Sequence, residues 1–214
     1  MPALSLREKF REKARNSRAL RYLFNHSLQI SAAGYLAANI ILTAKQGIHV
    51  DLDTLAGLGF LGADLAILKG KNPAWFKAAG VFVMAASFTL AASPYGKPGF
   101  IPQVISMIPS FVSGAMMLRE GKKEDPAKTA DKPGNRLTRG WNFFVNRYPT
   151  MTAGLMNLPG KPLLLASALM RGDFGLAATA LGWTVGNIGL AASDKMLQED
   201  IMRPPAAQPT QSLS

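Results

Sequence analysis

The sequence predicts an all-α, polytopic membrane protein, and three observations carry that prediction. Only 17% of the 214 residues are charged while 48% are hydrophobic, well below the charged quarter usual in soluble domains. The apolar residues gather into long runs, of which Ser27 to Ala44 holds 18 residues without a charge. The formal net charge of +11 is not spread along the chain but sits between alternate runs. This composition excludes a disordered tail protein. The absence of Cys excludes a disulfide scaffold, a Cys-ligated zinc or iron–sulfur centre and thiol catalysis.

Residues 1–26 form a basic amphipathic N-terminal segment. Arg7, Lys9, Arg11, Lys13, Arg15, Arg18 and Arg21 alternate there with Leu4, Leu6, Phe10, Leu20, Leu23 and Phe24. Such a segment suits a surface of anionic lipid headgroups. Six apolar runs follow, at about 27–44, 54–68, 74–93, 100–118, 148–170 and 174–193. A helix crosses a hydrocarbon core of about 30 Å with roughly 20 residues, so the runs read as six transmembrane helices. The first reads as an uncleaved anchor, because it is long, lacks a convincing small-x-small cleavage site and is followed by five more runs. The second is short and contains Asp64; Leu52 and the aliphatic stem of Lys69 extend it to the interfaces. The fifth is interrupted by Pro159, Lys161 and Pro162.

These runs divide the chain into 27–118 with the first four spans, a basic cytoplasmic linker at 119–147, and 148–193 with the last two. The linker ends in Trp141 to Tyr148, an aromatic and Arg-containing interface anchor. Residues 194–214, with Pro204, Pro205 and Pro209, are expected to be a cytoplasmic tail, largely disordered. With the N-terminus inside, the inner segments hold 20 basic residues and the outer loops hold 3, Lys45, Lys97 and Arg171. That bias predicts both termini on the cytoplasmic side of a bacterial inner membrane. It also accounts for the positive charge without nucleic acid.

The spans repeat a local pattern. Ala32-Ala33-Gly34, Ala78-Ala79-Gly80 and Thr152-Ala153-Gly154 open spans one, three and five. Leu58-Gly59-Phe60, Ile108-Pro109-Ser110 and Leu181-Gly182-Trp183 mark spans two, four and six. Three tandem helical hairpins give this spacing; the alternatives are two inverted halves that set residues 88–93 against 188–193, and no true repeat, since Ala/Gly/Leu-rich helices align by chance. Gly57, Gly59 and Gly62, with Gly182, Gly186 and Gly189, form small-residue faces. These let helices approach closely inside the bundle, or serve a homo-oligomer or another membrane-protein partner.

Asp64 is the one acid and, apart from Lys77 at the inner end of the third run, Lys161 the one base inside a span. An ionised side chain at the bilayer centre costs at least about 2.5 kcal/mol on insertion scales, so both are expected to face the interior. Each lies ten residues from the outer end of its run, at Thr54 and Arg171 respectively. That match predicts a buried Asp64–Lys161 pair or a shared polar cavity. Pro159, Gly160 and Pro162 predict a helix break beside Lys161, and Asn157 and Asn187 add polar groups in spans five and six. Asn39 is read as an interhelical hydrogen-bonding residue.

No GxSxG elbow, HExxH or P-loop is present, so no enzyme activity, metal or cofactor is expected. His49, Asp51 and Asp53 alternate in the first outer loop, where Asp53 is expected to cap a helix instead of binding metal. Pro102-Gln103 resembles the dipeptide that names the PQ-loop group of small membrane transporters, which are built of three-helix bundles. The neighbouring residues do not otherwise match that group, and no site is carried over from it. The leading functional expectation is a small-solute or ion transporter with a site at Asp64, Lys161, Asn187 and Asn157. A non-transporting scaffold or accessory subunit, binding membrane proteins or anionic lipid, is the alternative.

Overall fold

The computed structural model describes residues 12–13, 16–44, 50–68, 73–120 and 147–202. Among the described residues all regular elements are helices. They are α1 (Arg18–Asn25), α2 (Ser27–Ala44), α3 (Leu52–Leu68), α4 (Pro73–Ala92), α5 (Phe100–Glu120), α6 (Pro149–Asn157), α7 (Gly160–Met170), α8 (Phe174–Ala192) and α9 (Lys195–Met202). The N-terminal residues before Glu12, most of the 119–147 linker and residues 203–214 lie outside the described residues. The segment expected as a tail opens with helix α9.

Local chemistry sets the helix starts. Ser17 caps α1 by accepting from Leu20 N–H at 3.3 Å, and Asp173 caps α8 by accepting from Leu176 N–H at 2.8 Å. Asp51, not Asp53, caps α3: its Oδ1 accepts from Thr54 N–H at 2.8 Å. The helix begins at Leu52, which moves the cap position outward and leaves Asp53 inside the first turn.

Three helices among the described residues are long and apolar enough to cross a membrane: Ser27–Ala44, Phe100–Leu118 and Phe174–Ala192. This is fewer than the six expected. Helix α3 has 17 residues, Lys77–Ala92 counts as a shorter apolar helix, and the fifth run is two helices, α6 and α7. The surface of the bundle is nevertheless apolar on all sides. Leu36 and Ile40 on α2, Leu58 and Leu65 on α3, Phe88 on α4, Ile105 on α5 and Leu181 on α8 are exposed. Asn39, Ser87, Gln103, Asn157, Lys161 and Asn187 are buried. Large apolar side chains outside and polar ones inside is the reverse of a water-soluble distribution and is compatible with a membrane protein.

The helices form a ring in chain order. Helix α2 packs on α3, α3 on α4, α4 on α5, α5 on α6 and α7, and these on α8; α8 closes the ring against α2. The main core cluster draws Leu42 from α2, Phe60 from α3, Leu90 from α4, Met107 from α5, Leu164 from α7 and Trp183 from α8. Small residues make the closure. A Cβ on Gly34 would lie 2.5 Å from Gly186 N, one on Gly189 2.5 Å from Ser31 N, and one on Gly182 2.9 Å from Ala38 Cβ. The other small face is also used internally, with Gly57 against Thr43 and Gly59 against Ala86. Gly80 meets Gly114 of α5 and Gly154 meets Asn187 and Ala191 of α8. All three repeated Ala-Gly marks therefore sit at helix contacts, although Gly34 meets a helix outside its own proposed hairpin.

Overpacking a close contact of this kind costs about 1–3 kcal/mol. Gly34→Ala is expected to lose that much stability in mixed-micelle unfolding. Gly62→Ala, whose Cβ would meet only the partly exposed Phe82 ring at 3.3 Å, is expected to lose less.

Candidate functional site

The antiparallel contact of α2 with α8 sets polar groups on the two helices opposite one another. Asn39 lies between two partners: its Nδ2 donates to Asp64 Oδ2 at 2.7 Å, and its Oδ1 accepts from Trp183 Nε1 at 2.7 Å. One turn away, Tyr35 Oη donates to Asn187 Oδ1 at 2.7 Å, and Asn187 Nδ2 donates to Trp183 O at 2.7 Å. The Lys161 ammonium lies over the Trp183 ring, 4.8 Å from its centroid, where the ring quadrupole attracts a cation. Phe60 meets the same indole edge-on at 4.9 Å. Asp64 and Lys161 are thus joined through Asn39 and Trp183, and no direct ion pair forms between them.

Lys161 is 5% exposed, and among the described residues its ammonium has only the Trp183 ring as partner. The helix break beside it is a tight turn. Pro159 cannot donate to Leu155 O, and Leu158 N–H takes that acceptor at 3.3 Å; Pro162 cannot donate to Leu158 O, and Lys161 N–H takes it at 3.0 Å. Both carbonyls that the prolines would orphan are thereby used. The break beside Lys161 therefore leaves neither of these carbonyls free. Gly160 allows the turn to press against α5, since a Cβ there would clash with Ser106 O.

Of the residues singled out in the sequence, Asp64, Lys161 and Asn187 all belong to this array. Asn157 does not: it accepts from Ser110 Oγ at 3.0 Å and donates to Ala153 O at 3.0 Å, tying α6 to α5. Tyr35 and Trp183 were not singled out. The signal for them is the small-residue face itself, because an aromatic residue directly follows Gly34 and another directly follows Gly182. His49 lies outside the described residues, and no group of three or more potential metal ligands occurs among the described ones.

The two ends of the bundle are tied separately. At the end containing the α4–α5 turn, buried Gln103 donates to Leu90 O and accepts from Ser167 Oγ and Arg171. A depression of about 650 Å³ opens there, lined by Asp51, Asp53, Lys97, Arg171 and Asp173 among others, and none of the array residues lines it. At the opposite end Asp194 caps α9 through Leu197 N–H and accepts from Met151 N–H. Phe24 and Ile201 share a core cluster there, and Tyr148 Oη donates to Asp200. Hydrogen bonds to Tyr148 and then Asp200 hold the exposed Arg147 guanidinium above its usual range.

No known family model matches the chain, and no solved structure matches it. The site therefore rests on its own geometry.

Asn39→Leu leaves the Asp64 carboxylate and the Trp183 indole without their shared partner. Leaving buried polar groups unsatisfied costs about 1–3 kcal/mol, so mixed-micelle unfolding is expected to show a loss of that order. Thr184→Val is expected to lose less, since Thr184 only bonds back to Ala180 O of its own helix.

Proposed function

We propose that this chain is a six-span inner-membrane protein with both termini in the cytoplasm, and that it moves a small solute or ion through the interior of its helix ring. The observation that carries the reading is Lys161, a buried ammonium without an ion partner among the described residues, set in one array with the Asp64 carboxylate. Intramembrane charge is expensive and is by default the mark of a solute or proton pathway. The position fits. Asp64 lies about 18 Å along α3 from Leu52, and Lys161 about 15 Å along α7 from Arg171, at 1.5 Å per residue. Both depths fall in the middle of a bilayer.

A static scaffold is the second reading, and one observation favours it. Asn39, Trp183 and Asn187 are each at most 3% exposed, as in a network that only fixes helix register. Against it, the glycine faces that a scaffold would offer to partners are consumed within the bundle.

Cysteine-accessibility labelling separates the two, and the chain brings no Cys of its own. Single Cys replacements at 64, 161 and 187 are expected to react with a membrane-impermeant maleimide in intact membrane vesicles. A Cys at 157, which packs against α5, is expected to stay unlabelled. Protection at 64, 161 and 187 alike would replace transport by the scaffold reading.

A further inference from the structure

The depression of about 650 Å³ at the α4–α5 end of the bundle has the volume of a small-molecule pocket. Its wall carries charges of both signs from three separate elements: Asp51 ahead of α3, Lys97 in the α4–α5 turn and Arg171 after α7. Among the described residues no salt bridge involves any of these three. A carboxylate and two cations therefore line one cavity without neutralising one another by contact. Their positions are fixed from behind. The cap bond to Thr54 N–H uses only Oδ1 of Asp51. Arg171 donates through Nε to Ser167 O at 3.4 Å and through Nη2 to Gln103 Oε1, and Gln103 is itself fully buried and anchored on Leu90 O. That bracing occupies one terminal nitrogen of the guanidinium and leaves Nη1 for a ligand. Ser167 Oγ also donates to Gly99 O at 2.7 Å. Gly99, at φ +82°, approaches so closely that a Cβ on it would lie 2.8 Å from Ser167 O. The turn that bears Lys97 is thereby pinned to the end of α7 that bears Arg171.

We propose that this depression binds a small zwitterion, with its carboxylate on Arg171 and Lys97 and its ammonium on Asp51. A braced guanidinium is the group best shaped for a carboxylate, and a carboxylate that keeps one oxygen outside its cap bond suits an ammonium. Asp53 and Asp173 also line the wall, so the described lining holds three carboxylates against two cations. A simple anion meets net repulsion there, and a simple cation meets Arg171 and Lys97; a ligand with both charges satisfies both sides. None of the array residues lines the depression, so the site is separate from the Asp64–Lys161 array and stands whether or not a solute crosses the ring.

The test is isothermal titration calorimetry of the full-length protein in detergent at neutral pH and constant ionic strength. Glycine, 4-aminobutanoate and 6-aminohexanoate supply zwitterions of increasing length, each compared with the carboxylate and the ammonium compound of the same chain. At least one zwitterion is expected to bind saturably, and its singly charged analogues about tenfold more weakly or worse, because each lacks one charge-assisted contact. Asp51→Asn keeps the helix cap, since Asn caps as well as Asp. It is expected to weaken the zwitterion about tenfold while leaving the plain carboxylate no weaker, so the ratio of the two affinities falls about tenfold. Arg171→Gln is expected to do the converse, weakening zwitterion and carboxylate alike and leaving the ammonium compound no weaker. Lys97 is exposed on its turn, so Lys97→Gln is expected to melt like the parent and to weaken the zwitterion about threefold. The proposal is overturned if no zwitterion binds, if a singly charged analogue binds as tightly as its zwitterion, or if Asp51→Asn leaves the affinity ratio unchanged. Undiminished zwitterion binding in a folded Lys97→Gln or Arg171→Gln protein would overturn it as well.

Discussion

The close approach of α2 and α8 is the contact on which the rest of the structure depends. Gly34 and Gly189 let two backbones meet at distances that no Cβ would permit, and Gly182 and Gly186 leave room for Ala38 and the Tyr35 ring. That contact joins α2 to α8 and closes the ring. It also fixes the register, so that the residue after Gly34, Tyr35, reaches Asn187, and Asn39 reaches Trp183. A slip by one turn would separate both pairs and leave four polar side chains each one partner short.

Charge placement follows from the same geometry. The ring turns leucine, isoleucine and phenylalanine outward and gathers its amides, hydroxyls and two lone charges inward. Asn39 can serve a carboxylate and an indole together because an amide both donates and accepts. Lys161 reaches the array because Pro159 and Pro162 replace two α-helical bonds by shorter-range ones and turn the chain at that point. The cation therefore meets an aromatic face, and the carboxylate is held by an amide one residue removed from it. Gln103 and Asp194 perform the corresponding bracing at the two ends, each joining elements distant in sequence.

Much of this was legible in the sequence and some was not, for physical reasons. Asp64 and Lys161 stand out because a lone charge in an apolar run has few reasons to be there, and Gly182, Gly186 and Gly189 stand out because their spacing puts them on one face. The helical character of the runs follows from their length and composition, whereas three of them, not six, meet the length and hydropathy of a span when taken as helices. The partners of Asp64 and Lys161 were hidden. Counting depth along each run matched the two charges but could not show that they are linked through Asn39 and Trp183. Asn157 looked equivalent to Asn187 by composition, yet it faces α5, and only the packing of α6 decides that. Asp53 looked like a helix cap because the first turn of α3 could not be placed to within a residue.

The central claim is that helix register at the α2–α8 contact builds the polar array, and a double-mutant cycle tests it most directly. Asn39→Ala, Trp183→Phe and the double variant are compared by unfolding in mixed micelles. Residues that share a hydrogen bond couple by about 0.5–3 kcal/mol, with values near 0.6 typical between membrane helices. The account predicts a coupling within that range, and one that disappears when Gly186→Leu forces the two helices apart. Additive single effects, or a coupling untouched by Gly186→Leu, would contradict it.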